Sequence, residues 1–439
     1  MSIKGIANNS IVRKTVLAAV SGSIIEWYDL FLYGSLVVIL SNVFFPSHDP
    51  VLSLFYSIAA FVAGAAVRPI GGIIFGRMGD LVGRKYAFFL TVTIMGIGTV
   101  MIGLLPPYGQ IGILAPLILV LLRIMQGLAV GGEYGGAAIY IAENIEDDKR
   151  GYWTSYIQAT ATLGLLLSST IVLLTRLHMS QTEFHDWGWR VPFLLSFPLL
   201  VLAIVIRWRL RETKLFSMLL DKDRTSKHPL KESLTDKKNL RPLLLALLAV
   251  SGASVVWHTS QFYTSIFMQG ILKIDFVPTS LVMLTAISLG APFFVFFGWL
   301  SDKIGRVKLL LSGNILAAVT YYPLYMGMKF FSDPLNIPVL TGLVFTQIFF
   351  SAMCYGPLAA FLVERFSARI RYTSLSLAYG VGTGDIGDAT LLIVPAIALV
   401  TGNIYGGLAW SIVVPIVISL LVVFFIKETK VSIWSEVNE

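Results

Sequence analysis

Long apolar runs alternate with short polar stretches along the chain. Each run approaches the roughly 20 residues that a helix needs to cross a hydrocarbon layer. Twelve are read: Thr15 to Leu40, Pro50 to Phe75, Tyr86 to Leu105, Gly112 to Ala142, Tyr152 to Leu174 and Val191 to Leu210, then Pro242 to Ile271, Pro278 to Leu300, Leu309 to Met328, Pro338 to Val363, Tyr372 to Val400 and Ile404 to Ile426. The fourth, seventh, tenth and eleventh exceed what a bilayer needs and are expected to tilt or protrude. Helices satisfy their own backbone hydrogen bonds in lipid, so the pattern predicts an all-α membrane protein.

Composition agrees. Hydrophobic residues make up 56% of the 439 positions and charged residues 13%, against about 25% charged in soluble domains. The mean hydropathy is +0.78. The one cysteine, Cys354, excludes an intramolecular disulfide and reads as a packing residue inside an apolar run. A net charge of +8 raises nucleic acid as a partner, but the basic residues sit in short loops between apolar runs, so none is expected. The first run is too long for a cleavable leader and contains Glu26 and Asp29.

The loops have a sidedness. Lys4, Arg13, Lys14, Arg77, Arg84, Lys85, Lys149 and Arg150 fall on one side, with the stretch from Arg207 to Arg241. Lys303, Arg306, Lys308, Arg365, Arg369, Arg371, Lys427 and Lys430 join them, whereas the other side has little beyond Arg176, Lys273 and Lys329. Positive residues stay in the cytoplasm, which puts both termini there in a multi-pass cell-membrane protein. Residues 1–211 then form an N-terminal six-helix bundle and 241–430 a C-terminal one. Residues 212–240 form a surface-lying or mobile cytoplasmic linker, and 431–439 a short tail.

The two halves repeat each other. Gly76-Arg77-Met78-Gly79-Asp80-Leu81-Val82-Gly83-Arg84 and Gly298-Trp299-Leu300-Ser301-Asp302-Lys303-Ile304-Gly305-Arg306 both read G-x-x-x-D-x-x-G-R, with 302 − 80 = 222. Arg211-Glu212-Thr213-Lys214 returns as Lys427-Glu428-Thr429-Lys430, with 427 − 211 = 216. Glu143 precedes Arg150 by seven residues, as Glu364 precedes Arg371, with 364 − 143 = 221. Topogenic charge accounts for the Lys and Arg, but not for the repeated aspartate and glycine spacing. Asp80, Arg84, Glu143 and Arg150, with Asp302, Arg306, Glu364 and Arg371, are therefore read as a cytoplasmic gate latch acting on helix ends.

With these motifs the chain resembles the major facilitator superfamily, whose signature is the duplicated G-x-x-x-D-x-x-G-R loop. Glu26-Trp27-Tyr28-Asp29, Arg68-Pro69-Ile70-Gly71-Gly72, Arg123-x-x-Gln126-Gly127-x-x-x-Gly131-Gly132-Glu133 and Trp189-Arg190-x-Pro192-Phe193 resemble more closely its metabolite–proton symporter family. That family includes carriers of Krebs-cycle acids, shikimate, and proline or betaine. The resemblance implies two pseudo-symmetric six-helix bundles around a central cavity, and a proton switch between an acid of span one and the arginine of span four. Two features depart from it. Span eleven carries Asp385 and Asp388 in Gly382-Thr383-Gly384-Asp385-Ile386-Gly387-Asp388, where small uncharged residues are expected. The chain also stops soon after span twelve, without the coiled-coil tail of osmosensory members.

Ionisable groups within a bilayer cost roughly 2.5–3.5 kcal/mol and mark functional sites by default. Glu26, Asp29 and Tyr33 share one face of span one, read as the cavity face, and Asp29 with Arg123 is the expected proton-coupled pair. A static buried ion pair is the alternative. Glu133 is set against Arg68 as a structural or transport pair. Substrate contacts are expected from Arg123, Arg68, Tyr33, Gln126, His258, Gln261, Asp385 and Asp388. Asp385 and Asp388 lie a turn apart, so one is expected to keep its proton. His178, Glu183, His185 and Asp186 match no compact metal pattern, so no metal is expected.

The reading is a carrier that functions as a monomer in the bilayer and moves a small hydrophilic metabolite, an organic acid, with protons by alternating access. The proton is the only coupling ion and no cofactor is expected. A sugar or a proline- or betaine-like zwitterion is the rival substrate, and a carrier-derived sensor a remote alternative. No phosphate-binding G-x-x-x-x-G-K-[ST] loop occurs, which argues against direct ATP drive. No catalytic constellation points to an enzyme.

Overall fold

The computed structural model describes residues 9–210, 212–222, 224–426 and 428. Among them twelve helices are long and apolar enough to span a membrane. The first six are α1 (Ala19–Phe44), α2 (Leu52–Leu81), α3 (Arg84–Leu104), α4 (Leu114–Ala142), α5 (Asp147–Leu177) and α6 (Arg190–Trp208). The second six are α7 (Lys237–Ile271), α8 (Phe276–Ile304), α9 (Arg306–Phe330), α10 (Ile337–Val363), α11 (Arg371–Thr401) and α12 (Leu408–Phe425). Each overlaps one predicted run. Lys4, Arg211, Lys427, Thr429, Lys430 and residues 431–439 lie outside the described residues, as do the side chains of Arg13 and Lys14.

Two pseudo-equivalent seams join the halves: α2 packs on α11, and α5 packs on α8. Small residues permit the tight crossings beside the first seam. A Cβ on Gly127 would lie 1.7 Å from the Gly64 carbonyl oxygen, and one on Gly131 would lie 2.0 Å from that of Arg68. Any larger residue would push α4 off α2.

Several spans depart from regular α-helix among the described residues, and four of them bear on the site. In α2 the helix breaks at Val67, two residues before Pro69, which has no N–H to donate to the carbonyl of Ala65. In α10 it breaks at Gly356-Pro357. The wide turns of α7 (Thr259–Tyr263 and Phe267–Ile271) and of α11 (Gly380–Gly387) are π-helical. Such turns are enriched at functional sites and kinks.

The linker is helical in part and lies along the bundles. It contains helices Lys214–Asp221 and Pro229–Thr235. Leu215, Phe216 and Leu219 are buried. Ser233 hydrogen-bonds Ser374 at 2.8 Å, and Arg369 pairs with Glu232 at 3.0 Å. The apolar positions of the first helix are spaced to bury one side, which holds the linker against the bundles.

Candidate binding site and gate

Span one presents two faces. Trp27, Leu30 and Phe31 line a cavity between the halves, with Phe61 and Arg68 of α2, Trp257, His258 and Phe262 of α7, and Tyr355, Tyr379 and Asp388 beyond them. Glu26, Asp29 and Tyr33 do share a face, but it is directed into the N-terminal bundle. Glu26 meets Arg207 of α6 at 2.8 Å, Asp29 accepts a 2.6 Å hydrogen bond from Ser196 of α6, and Tyr33 donates to the Ser57 carbonyl of α2 at 3.0 Å. The expected cavity face is therefore corrected. The aromatic stripe takes the cavity, and the acids turn towards polar groups that offset their desolvation.

The expected Asp29–Arg123 pair does not form either. Arg123 donates to Gln126 at 2.7 Å, and its guanidinium lies over the rings of Tyr33 and Phe61 at 4.7 and 4.9 Å. Gln126 in turn donates to Thr99. Among the described residues no carboxylate stands within salt-bridge distance of Arg123, and its Nε has no hydrogen-bond partner.

Glu133 and Arg68 are likewise not partners. Glu133 takes Arg207 on both oxygens, at 2.6 and 3.0 Å, and accepts from Ser23 and Thr91. Glu26 and Glu133 thus share one guanidinium, which also lies over the Phe88 ring at 3.5 Å. Arg207 is the site residue that the sequence hid. At the end of an apolar run it reads as topogenic charge, yet it is only 1% exposed.

Arg68 reaches across the seam to the C-terminal half. Its Nη1 lies 2.9 Å from Asp388 Oδ2, and the other oxygen of Asp388 lies 2.8 Å from His258 Nε2. Nδ1 of His258 meets the Ser254 carbonyl at 2.8 Å. Glycines make this convergence of α2, α7 and α11 possible. A Cβ on Gly387 would sit 2.7 Å from His258 Cε1, and one on Gly384 would sit 3.1 Å from Arg68 Cδ. Asp385 is exposed, so the acids expected to repel one another part company. Gln261 donates to Thr162 of α5 at 3.2 Å, a second polar bridge between halves.

On the signature-loop face the eight gate residues converge in two clusters. Asp80 accepts from the backbone N–H groups of Tyr372 and Thr373 at 3.2 and 2.9 Å, from the Thr373 hydroxyl at 2.7 Å and from Arg84 at 2.6 Å. Asp302 accepts from the N–H groups of Gly151 and Tyr152 at 2.9 and 2.8 Å and pairs with Arg306 at 2.7 Å. Each aspartate therefore caps the first turn of a helix in the opposite half, where unsatisfied N–H groups favour an anion. The Glu–Arg partners are exchanged relative to the sequence spacing. Glu143 takes Arg371 at 3.1 Å, and Glu364 takes Arg150 at 2.9 Å. Each pair crosses between halves, whereas a pair seven residues apart would have remained within one. Arg84 also donates across to the Ala368 carbonyl at 2.8 Å. The signature-loop face is closed.

The repeated Glu212 and Glu428 have a clear local part. Glu212 accepts from the Lys85 N–H at the start of α3, and Glu428 from those of Arg306 and Val307 at the start of α9. Gly83 and Gly305, at φ of 140° and 112°, turn the chain just before these N-termini, in a region where glycine alone is unstrained.

The chain matches the model of the family described as "Sugar (and other) transporter" twice, over residues 14–238 and 217–439. It is 32% identical to the proline/betaine transporter of Escherichia coli K12 over 380 residues, covering 84% of this chain and 75% of that one. It is 30% identical to the shikimate transporter of the same organism, covering 97% of each chain. A solved proton:xylose symporter, XylE, bound to 6-bromo-6-deoxy-D-glucose, superposes with a TM-score of 0.80 at 17% identity, over 96% of this chain and 97% of that one. Twelve membrane-spanning helices, two bundles meeting at paired signature loops and a doubled family match agree: the chain belongs to the sugar (and other) transporter family of the major facilitator superfamily, as a multi-pass membrane transporter and not an enzyme.

Proposed function

We propose that this transporter is a proton-coupled symporter of a small hydrophilic organic acid without a compensating ammonium group, working by alternating access as a monomer with both termini in the cytoplasm. The observation that carries the substrate class is Arg123, a guanidinium 1% exposed with no carboxylate partner among the described residues. A buried charge without a counter-ion is costly. A planar fork beside the cavity-lining Phe61 suits a substrate carboxylate. The eight-residue latch then closes the cytoplasmic side while substrate enters from the other.

A zwitterion is the second reading, because Trp27, Phe31, Trp257 and Phe262 line the same cavity as an acid, Asp388. Aromatic faces attract quaternary ammonium groups. Asp388 is already engaged by Arg68 and His258, so the acid reading is preferred. Counterflow in proteoliposomes with labelled shikimate, other carboxylic acids, betaine, proline and hexoses tests this. Exchange of carboxylic acids alone supports the proposal, betaine or proline exchange favours the zwitterion, and hexose exchange rejects both.

A further inference from the structure

His258 meets an oxygen acceptor at each of its two ring nitrogens. The Ser254 carbonyl can only accept, so Nδ1 carries a hydrogen. Nε2 lies 2.8 Å from Asp388 Oδ1, a distance that itself requires a proton between two otherwise lone-paired atoms. That proton belongs either to an imidazolium facing a carboxylate or to a carboxylic acid facing a neutral ring. The Arg68 guanidinium on Oδ2 favours the first. Removing the proton leaves one ring hydrogen for two acceptors, so the ring keeps either the Ser254 carbonyl or Asp388 and the other contact opens.

The two residues also sit where the helices change character. His258 ends the α-helical part of α7, and the π-turn Thr259–Tyr263 follows at once. Asp388 resumes the α-helix of α11 directly after the π-stretch Gly380–Gly387. A link between the pair therefore ties together two irregular points in the C-terminal half, while Arg68 ties the same carboxylate to the N-terminal half. The charged and titratable groups around the pair are Arg68 from α2, Arg123 from α4, Tyr355 from α10, and Tyr379 and Asp385 from α11. Of these, Arg68 contacts the carboxylate of Asp388 directly.

We propose that the His258–Asp388 pair is the site that binds the transported proton, and that emptying it releases α7 from α11 at their π-turns. This rests on the proton-symport reading above and moves the coupling site from span one to the C-terminal half. Asp29, bonded to Ser196, and Glu26, bound to Arg207, are the rival sites.

The test has two arms on the full chain. In the first, protein labelled with ¹⁵N-histidine and ¹³C-aspartate in lipid nanodiscs is read by NMR, and His258 and Asp388 are assigned by the loss of their signals in His258→Gln and Asp388→Asn. One proton on each ring nitrogen, or a neutral ring beside a protonated Asp388, supports the proposal. A singly protonated ring beside an ionised Asp388 overturns it. In the second arm, proteoliposomes take up labelled shikimate or betaine, whichever exchanges, with and without a pH gradient. Asp388→Asn is expected to lose about tenfold or more of the gradient-driven rate. The readout is the ratio of uptake with the gradient to uptake without it, and a single cooperative thermal transition in detergent shows that the variant folds. Full gradient drive in Asp388→Asn, with drive lost only in Asp29→Asn or Glu26→Gln, overturns the assignment and leaves symport standing. A wild type that ignores the gradient overturns symport itself.

Discussion

Asp80→Asn is expected to open the signature-loop gate. The carboxylate is 1% exposed, with one oxygen facing Arg84 and the Tyr372 N–H and the other facing the Thr373 N–H and hydroxyl. An amide keeps one acceptor oxygen and turns an NH₂ donor towards either Arg84 or Thr373. At least one charge-assisted bond is lost, and such bonds are worth about 1.5–3 kcal/mol. In the open state the side chain is hydrated and the substitution costs little. The closed state therefore loses about 2 kcal/mol relative to the open one, a shift of about 30-fold in their ratio. Spin labels on Arg77→Cys and Lys303→Cys, both exposed on opposite signature loops, report the separation by pulsed electron resonance. Native Cys354 is fully buried and leaves the background clean. A growing long-distance population is expected, enlarged further in the double variant with Asp302→Asn. Distance distributions identical to the unsubstituted protein would refute the capping argument.

Glu133→Gln should cost about 1.5–3 kcal/mol of stability, because Arg207 loses the carboxylate that holds both its Nη atoms and keeps only the contact to Glu26. Glu26→Gln should cost much less, because Arg207 keeps Glu133 and one of two like charges is removed; equal falls in thermal unfolding temperature in detergent would contradict the shared-guanidinium account. Arg123→Lys keeps the charge but loses the fork, so KM for a carboxylate substrate should rise about tenfold or more in uptake assays. An unchanged KM would remove Arg123 from the binding site.

Much of the architecture was readable because the bilayer imposes it. Twelve runs became twelve helices, and the repeated Asp80 and Asp302 do occupy equivalent places. What sequence could not supply was direction across an interface. A helical wheel groups Glu26, Asp29 and Tyr33 on one face but does not say which way that face points. Trp27 and Phe31, which line the cavity, carried that information. Spacing linked Glu143 to Arg150 and Glu364 to Arg371, but which arginine each acid takes depends on how the halves meet. Arg207 was disguised by its place at a span end, where cations ordinarily reach for water. The π-turns leave no period in the sequence. The glycines of Gly382-Thr383-Gly384-Asp385-Ile386-Gly387-Asp388 were visible, but the approach of Arg68 and His258 that they permit was not.

A proton-coupled carrier converts a proton gradient into accumulation of its metabolite. Purified protein in tight liposomes, given an alkaline interior, no ATP and equal labelled substrate on both sides, tests this most directly. Uphill accumulation that collapses on adding a protonophore is the expected result. Labelled substrate that stays at equal concentration on both sides, with exchange intact, would contradict it.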